Sequence, residues 1–284
     1  MKLVRFGATG SEKPGLVDAD GVVRDLSTEL ADIDGDAISP DGLARLRGID
    51  PASLPTVDPS IRFGPPVANV RQFIAIGLNY ADHAAESGMP VPPEPVIFTK
   101  AISCIQGCND DVRKPRLSTK MDWEVELGIV IGTRASYVPK EQAMDHIAGY
   151  LVVDDLSERE FQLERGQTWD RGKGCETFGP LGPWLVTADE VGDPQKLDMW
   201  LDVNGQRMQI GNTRTMIFDC ATLVSYVSEF MVLLPGDVIT TGTPPGVGMG
   251  MKPPVFLDVG DVIELGIEKL GRQRHRVIGW SDHR

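Results

Sequence analysis

The stretch around which the chain is organised reads Asp122-Trp123-Glu124-Val125-Glu126-Leu127-Gly128-Ile129-Val130-Ile131. From Glu126 onward it is almost purely apolar and β-prone, which predicts a buried or half-buried strand. Side chains alternate between the two faces of a strand, so Glu124 and Glu126 point the same way. Two adjacent carboxylates repel each other and resist burial unless a cation lies between them or water covers them. The stretch therefore fits either a solvated strand face or a metal site.

Length and composition are those of an ordinary globular protein with a strong negative charge. The 284 residues include 41% hydrophobic and 24% charged residues, with a net charge of −13 at pH 7. Such a chain can bury a large core, as one domain or as a small domain joined to a large one. The charge argues against nucleic acid and anionic membranes as partners, because their phosphates would be repelled. A small anionic substrate is still possible, because a metal ion or a few cations can reverse the field in a cleft.

The sequence gives no sign of export or of a membrane span. The segment Met1-Lys2-Leu3-Val4-Arg5-Phe6-Gly7 lacks the apolar core of a signal peptide. No apolar run approaches the ~18 residues that a membrane-spanning helix needs. Four cysteines in a chain of this length suit reduced thiols, and Cys104 and Cys108 have no second Cys/His pair nearby to complete a zinc site. We therefore expect a cytoplasmic protein.

Residues 1–66 predict a small, β-rich N-terminal domain that carries no evident chemistry. Residues 3–6 and 15–18 predict strands, and residues 42–48 predict a short helix. Five prolines between residues 51 and 66 then mark a connector to a larger domain, residues 67–284.

The larger domain predicts buried strands separated by turns and a few helices. Strands are expected at 73–77, 126–131 and 148–153, in a hairpin at 197–209, near 238–241, and in a final hairpin between 260 and 277. Helices are expected at 81–88, 139–147 and 218–230. The hairpin at 197–209 is indicated most strongly, by its Asn204-Gly205 dipeptide.

His83 and Glu86 are a candidate water-activating pair. Three residues apart in a predicted helix, they would share one face, where a hydrogen-bonded His–Glu pair can act as a general base. The helix stands between a buried strand and a proline-rich loop, which fits a lid that closes on a substrate. The alternative is an exposed helix with two unrelated polar residues.

Asp155 completes a candidate set of metal ligands. It follows the predicted strand 148–153, and an acid at the end of a strand is well placed for a cleft. With Glu124 and Glu126 it would offer three hard oxygen ligands, which suits Mg²⁺ or Mn²⁺ and not zinc. Beside such a cluster Lys173 could hold a developing oxyanion or enolate, although a lysine in a Gly/Pro-rich turn is usually a surface residue.

A glycine-rich loop at 242–248 follows the strand predicted near 238–241. It is neither a P-loop nor a dinucleotide-binding motif, because it lacks Gly-Lys-Ser/Thr and no helix pattern follows. Its backbone N–H groups and the Thr243 hydroxyl can bind a substrate carboxylate. A tight β-turn is an equally good interpretation of the loop in isolation.

These segments, in this order, resemble the fumarylacetoacetate hydrolase family over roughly residues 70–275. The motifs that carry the resemblance are Gly77-Leu78-Asn79-Tyr80-x-x-His83-x-x-Glu86, Glu124-x-Glu126, Asp155-x-Ser157-x-Arg159-x-x-Gln162, Gly172-Lys173, Thr177-Phe178-x-Pro180-x-Gly182-Pro183, Pro235-Gly236-Asp237 and Thr241-Gly242-Thr243-Pro244-x-Gly246-Val247-Gly248. Several linked motifs in order are far more specific than any one of them.

The resemblance implies a mostly β (α+β) fold, the family's β-roll preceded by a small N-terminal domain, assembled as a homodimer. The implied site residues are Glu124, Glu126 and Asp155 for Mg²⁺ (or Mn²⁺), His83 and Glu86 for water activation on a lid, Lys173 for the enolate, and Gln162 and Thr243 for substrate oxygens. Arg159 also matches its motif position, where it would contact either substrate or structure. Asp154 departs from the asparagine common in the family and adds a charge beside the metal ligands.

The function favoured by these expectations is hydrolytic C–C cleavage of a 2,4-diketo acid of the acylpyruvate type. Water activated by His83 and Glu86 would attack the C4 carbonyl and break the C3–C4 bond, and Mg²⁺ and Lys173 would stabilise the departing pyruvate enolate. Residues 173–180 and 213–216 resemble the branch of the family with 2,4-diketo-3-deoxy sugar-acid hydrolases of rhamnose and fucose breakdown. Proteins labelled ureidoglycolate lyase belong to the same branch.

Two other functions stay open at this point. The same metal and enolate chemistry would serve a decarboxylase of oxaloacetate or an isomerase of a hydroxyhepta-diene-dioate, if His83 and Glu86 activate no water. An inactive family member kept as a binding or structural protein is the third possibility, and the retained metal ligands, His–Glu pair and lysine argue against it.

Overall fold

The computed structural model describes residues 1–81, 90–166 and 168–280. The strands are β1 (Lys2–Phe6), β2 (Lys13–Val17), β3 (Val23–Asp25), β4 (Phe63–Gly64), β5 (Phe73–Gly77), β6 (Val96–Thr99), β7 (Ile105–Gly107), β8 (Val112–Arg113), β9 (Met121–Asp122), β10 (Val125–Ile131), β11 (Ile147–Asp154), β12 (Ser157–Glu158), β13 (Gly179–Thr187), β14 (Asp198–Val203), β15 (Gln206–Asn212), β16 (Val238–Thr240), β17 (Val262–Ile267) and β18 (Gly271–Ile278). The α-helices are α1 (Pro40–Arg47), α2 (Lys140–Ala143), α3 (Arg159–Leu163), α4 (Asp170–Lys173), α5 (Ala188–Val191) and α6 (Cys220–Phe230). Single 3₁₀ turns lie at Pro51–Ser53, Ile102–Cys104, Met144–His146, Pro194–Lys196, Thr213–Thr215 and Gly248–Gly250.

The mostly β fold expected from the sequence is confirmed. The larger sheet runs β3-β2-β1-β13-β11-β10-β16-β5-β6, with β4 added beside β1 and β7 beside β13. The smaller sheet runs β15-β14-β17-β18-β8, and β9 pairs with β12 alone. Most neighbours are antiparallel; β5 with β16, β7 with β13 and β8 with β18 are parallel.

The core lies between the two large sheets. The smaller sheet packs on β10, β11 and β13 of the larger one, and every residue of β10 and β11 is buried. A strand covered on both faces has no wet side, which explains the uninterrupted apolar run in β10. Strand β18 instead alternates, with Gln273, His275 and Val277 buried between exposed arginines. The smaller sheet therefore has one face in the core and one in solvent.

Most predicted elements are confirmed. The strand at 73–77 is β5, the Asn204-Gly205 hairpin is β14–β15, and the final hairpin is β17–β18. Helix α6 begins at Cys220 because the Asp219 side chain accepts a hydrogen bond from the N–H of Thr222 and caps it. The helix predicted at 139–147 is shorter: α2 gives way to a 3₁₀ turn, and Ile147 already belongs to β11. The helix predicted at 81–88 lies, beyond its first residue, outside the described residues.

The Gly/Pro-rich turn predicted around Lys173 is wrong. Lys173 ends the short helix α4, and the segment that follows contains the nine-residue strand β13. This strand has partners on both sides, β1 and β11, and it bulges between Gly182 and Val186, which accommodates Pro183. Pairing with neighbouring strands outweighs the local composition here.

The N-terminal strands continue the larger sheet. Lys2 and Leu3 pair with Val186 and Leu185, so β1, β2 and β3 extend the sheet outward from β13. A division of the chain between residues 66 and 67 stays a prediction. Within the described ranges, every helix is too short or too polar to cross a bilayer.

Candidate metal centre and active site

Three carboxylates converge where β10 begins and β11 ends. The strands are antiparallel, with Val125 opposite Asp154, and the N–H of Asp155 continues the ladder by donating to the carbonyl oxygen of Glu124 at 2.9 Å. Glu124, Glu126 and Asp155 each place one oxygen within 4.8 Å of the others. They are 6%, 1% and 0% exposed, respectively. This excludes a solvated strand face.

Two buried lysines and an arginine pair with these carboxylates. The Lys173 ammonium donates to Glu124 Oε2 at 2.7 Å and to Asp155 Oδ2 at 2.8 Å. Lys100 donates to Asp155 Oδ1 at 2.5 Å. Arg159 donates through Nη2 to Glu124 Oε1 at 2.6 Å and through Nε to Asp122 Oδ2 at 2.8 Å. The cluster is thus an ion-pair network with almost no exposure to water.

Among the described residues, the network has more negative than positive groups. The buried carboxylates are those of Asp122, Glu124, Glu126, Asp154 and Asp155, and the buried cations are those of Lys100, Arg159 and Lys173. With all of them ionised, five anions face three cations, an excess of two negative charges. The Oδ2 atom of Asp154 is buried with no hydrogen-bond partner among the described residues. A divalent cation fits this deficit, and an all-oxygen donor set suits Mg²⁺ or Mn²⁺.

The pKa values of two carboxyls reflect the same shortage of positive charge. Burial, reinforced by the charges of Asp155 and Glu124, raises the pKa of Glu126 well above its ordinary value. Burial also raises the pKa of Asp154 to about 8. Both shifts mark carboxylates whose ionised form needs a nearby cation.

The glycine-rich loop after β16 closes one side of the cluster. The Thr240 hydroxyl and the N–H of Gly242 both donate to Glu126 Oε2, at 2.5 and 2.8 Å. Gly242 has a φ of +92°, and a Cβ there would lie 2.9 Å from the Cβ of Asn79. Only glycine fits both the backbone angle and the space.

Thr243 lies beside the cluster with its hydroxyl already engaged. It donates to the carbonyl oxygen of Val125 at 3.0 Å and accepts a hydrogen bond from Gln209 Nε2 at 2.8 Å. A hydrogen bond from this hydroxyl to a substrate carboxylate would have to replace the bond to Val125. The predicted substrate contact of Thr243 stays a prediction.

A cavity of about 150 Å³ opens above the carboxylates. Its lining residues are Ile76, Gly77, Leu78, Phe98, Glu124, Glu126, Arg159, Gln162, Leu163, Trp169, Lys173, Gly242, Thr243 and Met249. Gln162 accepts a hydrogen bond from Arg159 through Oε1 at 3.0 Å. Six of the nine residues predicted for the site therefore line one cavity, and Asp155 lies buried against Lys173. His83 and Glu86 lie outside the described residues.

Two further members of the network, Lys100 and Asp122, were not predicted. Lys100 follows β6, in the sequence Val96-Ile97-Phe98-Thr99-Lys100, and a charged residue directly after an apolar strand is the signal that selected Asp155. Asp122 begins the stretch on which the sequence analysis opened. It binds the N–H groups of Gly248 and Met249 as well as Arg159, so it fixes the arginine and the glycine-rich loop together.

A family model described as "Fumarylacetoacetate (FAA) hydrolase C-terminal" matches residues 72–278. The chain belongs to the fumarylacetoacetate hydrolase family. Its neighbours in the family are enzymes. A relative from Burkholderia lata, named as a hydrolase with no stated substrate, is 61% identical over 274 residues, which are 96% of this chain and 97% of the relative.

Solved structures of the family have the same fold. Fumarylacetoacetate hydrolase from Exiguobacterium antarcticum has a TM-score of 0.86 at 36% identity. The 2-hydroxyhepta-2,4-diene-1,7-dioate isomerase of Mycobacterium marinum has a TM-score of 0.76 at 30% identity. Maleylpyruvate hydrolase from Sphingobium sp. SYK-6, in complex with manganese(II) and pyruvate, has a TM-score of 0.81 at 29% identity. Each likeness covers 99% of this chain and 100% of the other. A divalent metal is thus bound within the family.

Proposed function

We propose that the protein is a metal-dependent hydrolase that cleaves the C3–C4 bond of a 2,4-diketo acid of the acylpyruvate type. The products are pyruvate and a carboxylic acid. The observation that carries the proposal is the buried cluster of Glu124, Glu126 and Asp155 with the Lys173 ammonium 2.7 and 2.8 Å from two of the three, at the floor of a cavity. The maleylpyruvate hydrolase solved in complex with manganese(II) and pyruvate supports the same chemistry.

The chain's own residues supply binding and charge stabilisation. When bound by the three carboxylates, Mg²⁺ or Mn²⁺ would polarise the keto oxygens and offset the charge that develops on them. The pyruvyl end would lie on the cavity floor, where Lys173, Arg159 and Gln162 can donate hydrogen bonds to its oxygens. As the C3–C4 bond breaks, its electron pair passes to C3 as an enolate, and the Lys173 ammonium stabilises that negative charge.

His83 and Glu86 are assigned the activation of water. His83, oriented by Glu86, would take a proton from water as the oxygen attacks C4, and the new acid would keep that oxygen. His83 then returns that proton to C3 of the enolate to give pyruvate, which balances the reaction with one water consumed.

A homodimer, a cytoplasmic location and a small N-terminal domain over residues 1–66 that shares its core with the rest of the chain complete the proposal. The negative net charge argues against nucleic acid or an anionic membrane as partner, and a divalent metal at the three carboxylates would let a small acid bind. Light scattering on the purified chain tests the dimer, and cell fractionation tests the location.

An isomerase or a decarboxylase is the second candidate, because a structural neighbour is a 2-hydroxyhepta-2,4-diene-1,7-dioate isomerase. Both reactions pass through an enolate that the same carboxylates and Lys173 would stabilise. They differ from hydrolysis in needing no activated water.

Pyruvate release from acetylpyruvate tests the hydrolase, with Mg²⁺ and with EDTA, in wild type and in His83→Ala. We expect metal-dependent pyruvate that falls at least about 100-fold in the variant, as for loss of a general base. His146→Ala is the matched control, because His146 lies on a 3₁₀ turn with Nδ1 3.3 Å from the carbonyl oxygen of Thr133, and is no part of the site.

Release of carbon dioxide from oxaloacetate tests whether the protein is a decarboxylase instead of a hydrolase. Metal-dependent carbon dioxide that survives His83→Ala, with no pyruvate from acetylpyruvate, would overturn the hydrolase in favour of a decarboxylase. If His83→Ala and His146→Ala reduced pyruvate release equally, the result would contradict the role of His83 in the mechanism.

A further inference from the structure

We propose that the acyl end of the substrate is apolar and uncharged, so that its only carboxylate is the one at the pyruvyl end. This inference rests on the proposed function and concerns the apolar lining of the same cavity. It favours an alkyl- or aryl-substituted acylpyruvate over a dicarboxylic substrate and over the polyhydroxylated chain of a sugar acid.

The lining of the cavity combines polar groups with six apolar side chains. The polar lining groups belong to the ion-pair network and to Gln162 and Thr243, which adjoin it. The apolar side chains, called here the apolar side, are Ile76, Leu78, Phe98, Leu163, Trp169 and Met249. When the polar groups hold the pyruvyl end of a substrate, these six side chains are the rest of the described lining that its acyl group can contact.

Two aromatic rings give the apolar side its shape. Phe98 and Trp169 meet edge to face, with ring centroids 5.3 Å apart. The Trp169 ring lies directly over Gly77, where a Cβ would come within 2.3 Å of it. The close approach of ring and backbone fixes Trp169 in place and offers an apolar surface to the acyl group.

The two cations that line the cavity belong to the ion-pair network, where they would bind the pyruvyl end of the substrate. Lys173 and Arg159 are the lysine and arginine among its described lining residues, and both bind Glu124. A second carboxylate on the substrate would therefore be buried among apolar side chains without a cation from these residues, which is unfavourable.

Hydroxyl groups on the acyl chain would lose hydrogen bonds to water on entering this side. The side chains of Ile76, Leu78, Phe98, Leu163 and Met249 have no N–H or O–H group to replace those bonds, and Trp169 has only its one indole N–H. Each added methylene group that becomes buried should instead tighten binding by about fourfold. Substrate preference should therefore rise with apolar chain length until the cavity is filled.

The test compares acylpyruvates that differ only at the acyl end. Butanoylpyruvate and succinylpyruvate have the same chain length and differ by a terminal methyl or carboxylate. We expect kcat/KM for butanoylpyruvate to be about tenfold higher than for acetylpyruvate. It should also be at least tenfold higher than for succinylpyruvate. Equal or better cleavage of succinylpyruvate would overturn the inference while leaving the hydrolase intact.

Binding of unreactive 2-oxo acids gives a second measurement that needs no turnover. Calorimetry with Mn²⁺ present compares 2-oxoheptanoate with 2-oxoheptanedioate, again a methyl against a carboxylate. Tighter binding of the monoacid supports the apolar side even if no acylpyruvate is cleaved, and in that case the proposed function fails alone. Tighter binding of the diacid overturns the inference.

Two variants test whether the apolar side of the cavity causes the preference for a longer acyl chain. Trp169→Ala should reduce the ratio of kcat/KM between butanoylpyruvate and acetylpyruvate toward one. Trp200→Ala should leave the ratio unchanged, because Trp200 lies on β14 under Arg207, away from the cavity lining. An unchanged ratio in Trp169→Ala would contradict the assignment of the acyl group to this apolar side.

Discussion

Lys100 ties the Asp155 carboxylate to the helix that ends at Lys173. Its ammonium donates to Asp155 Oδ1 at 2.5 Å and to the carbonyl oxygen of Lys173 at 2.6 Å. Burial lowers the pKa of Lys100, but the charge and the hydrogen bond of Asp155, together with the charges of nearby groups, outweigh that effect, so the net pKa is raised. The lysine is therefore a link between Asp155 and the carbonyl oxygen of Lys173 that favours its charged form.

Lys100→Met should destabilise the metal-free protein strongly. Removing one partner of a buried ion pair costs about 3–5 kcal/mol, because Asp155 and the Lys173 carbonyl lose their donor. The variant would have one positive charge fewer beside the carboxylates, so Mn²⁺ should raise its melting temperature more than that of wild type. Thermal and urea unfolding in EDTA and in Mn²⁺ measure both effects.

Lys114→Met is the control, since Lys114 pairs with the exposed Asp258 and should cost no more than about 1 kcal/mol. Equal stability of Lys100→Met and Lys114→Met would contradict the role of Lys100.

The residues of the site were predictable to different degrees. Glu124 and Glu126 followed from strand alternation within one short segment, and Asp155 from its place after a strand. Lys100 and Asp122 were missed because their partners, Asp155 and Arg159, lie 55 and 37 residues away, which a local pattern does not reveal. The excess of negative charge likewise depends on which buried groups meet in space.

Gln209 on β15 joins the two large sheets at the site. Its Oε1 accepts a hydrogen bond from the N–H of Val125 at 3.0 Å, and its Nε2 donates to Pro244 O at 2.7 Å and to Thr243 Oγ1. One buried amide thus holds the first residue of β10 and the glycine-rich loop in a fixed relation. The positions of Glu124 and Glu126 depend on that relation.

Gln209→Leu should remove the hydrogen bonds by which residue 209 joins the two sheets. The N–H of Val125 and the carbonyl of Pro244 would be buried without their partner, at about 1–3 kcal/mol for each group. We expect a lower free energy of unfolding and weaker Mn²⁺ binding. Gln206→Leu, on the exposed start of the same strand, should stay within about 0.5 kcal/mol of wild type. Unchanged Mn²⁺ affinity in Gln209→Leu would argue against the junction.

Elements with strong local signals were predictable, and those that depend on pairing were not. The Asn204-Gly205 hairpin follows from two residues with positive φ, 52° and 76°. Strand β13 is rich in glycine and proline, so its composition indicated a turn. Only its neighbours β1 and β11, whose positions the sequence does not state, make it a strand in the middle of the sheet.

At the scale of the whole molecule, one core includes residues from both predicted domains. Leu3, Leu16 and Leu26 belong to the same hydrophobic cluster as Phe73 and Val125. The larger sheet also passes from β1 to β13 without a break. The fold's mostly β character was predictable from composition and motif order, whereas this shared core was not, because it depends on the pairing of β1 with β13.

A chain beginning at residue 67 should not fold into a stable protein. It would leave the β13 edge unpaired and expose apolar side chains that residues 1–66 now cover, which favours aggregation. Size-exclusion chromatography and urea unfolding of the truncated chain test this. A monodisperse product with cooperative unfolding would instead support an independent catalytic domain over residues 67–284.

Binding of a divalent metal to the three carboxylates is the claim on which the rest depends. Chelator-treated protein should be titrated with Mn²⁺, with free Mn²⁺ followed by electron paramagnetic resonance, in wild type, Glu126→Gln and Glu264→Gln. Glu264 lies on β17, outside the lining of the cavity, and serves as the matched control. We predict one saturable ion per chain in wild type and Glu264→Gln, and its loss in Glu126→Gln. No saturable binding in wild type, or binding that Glu126→Gln leaves unchanged, would contradict the metal centre.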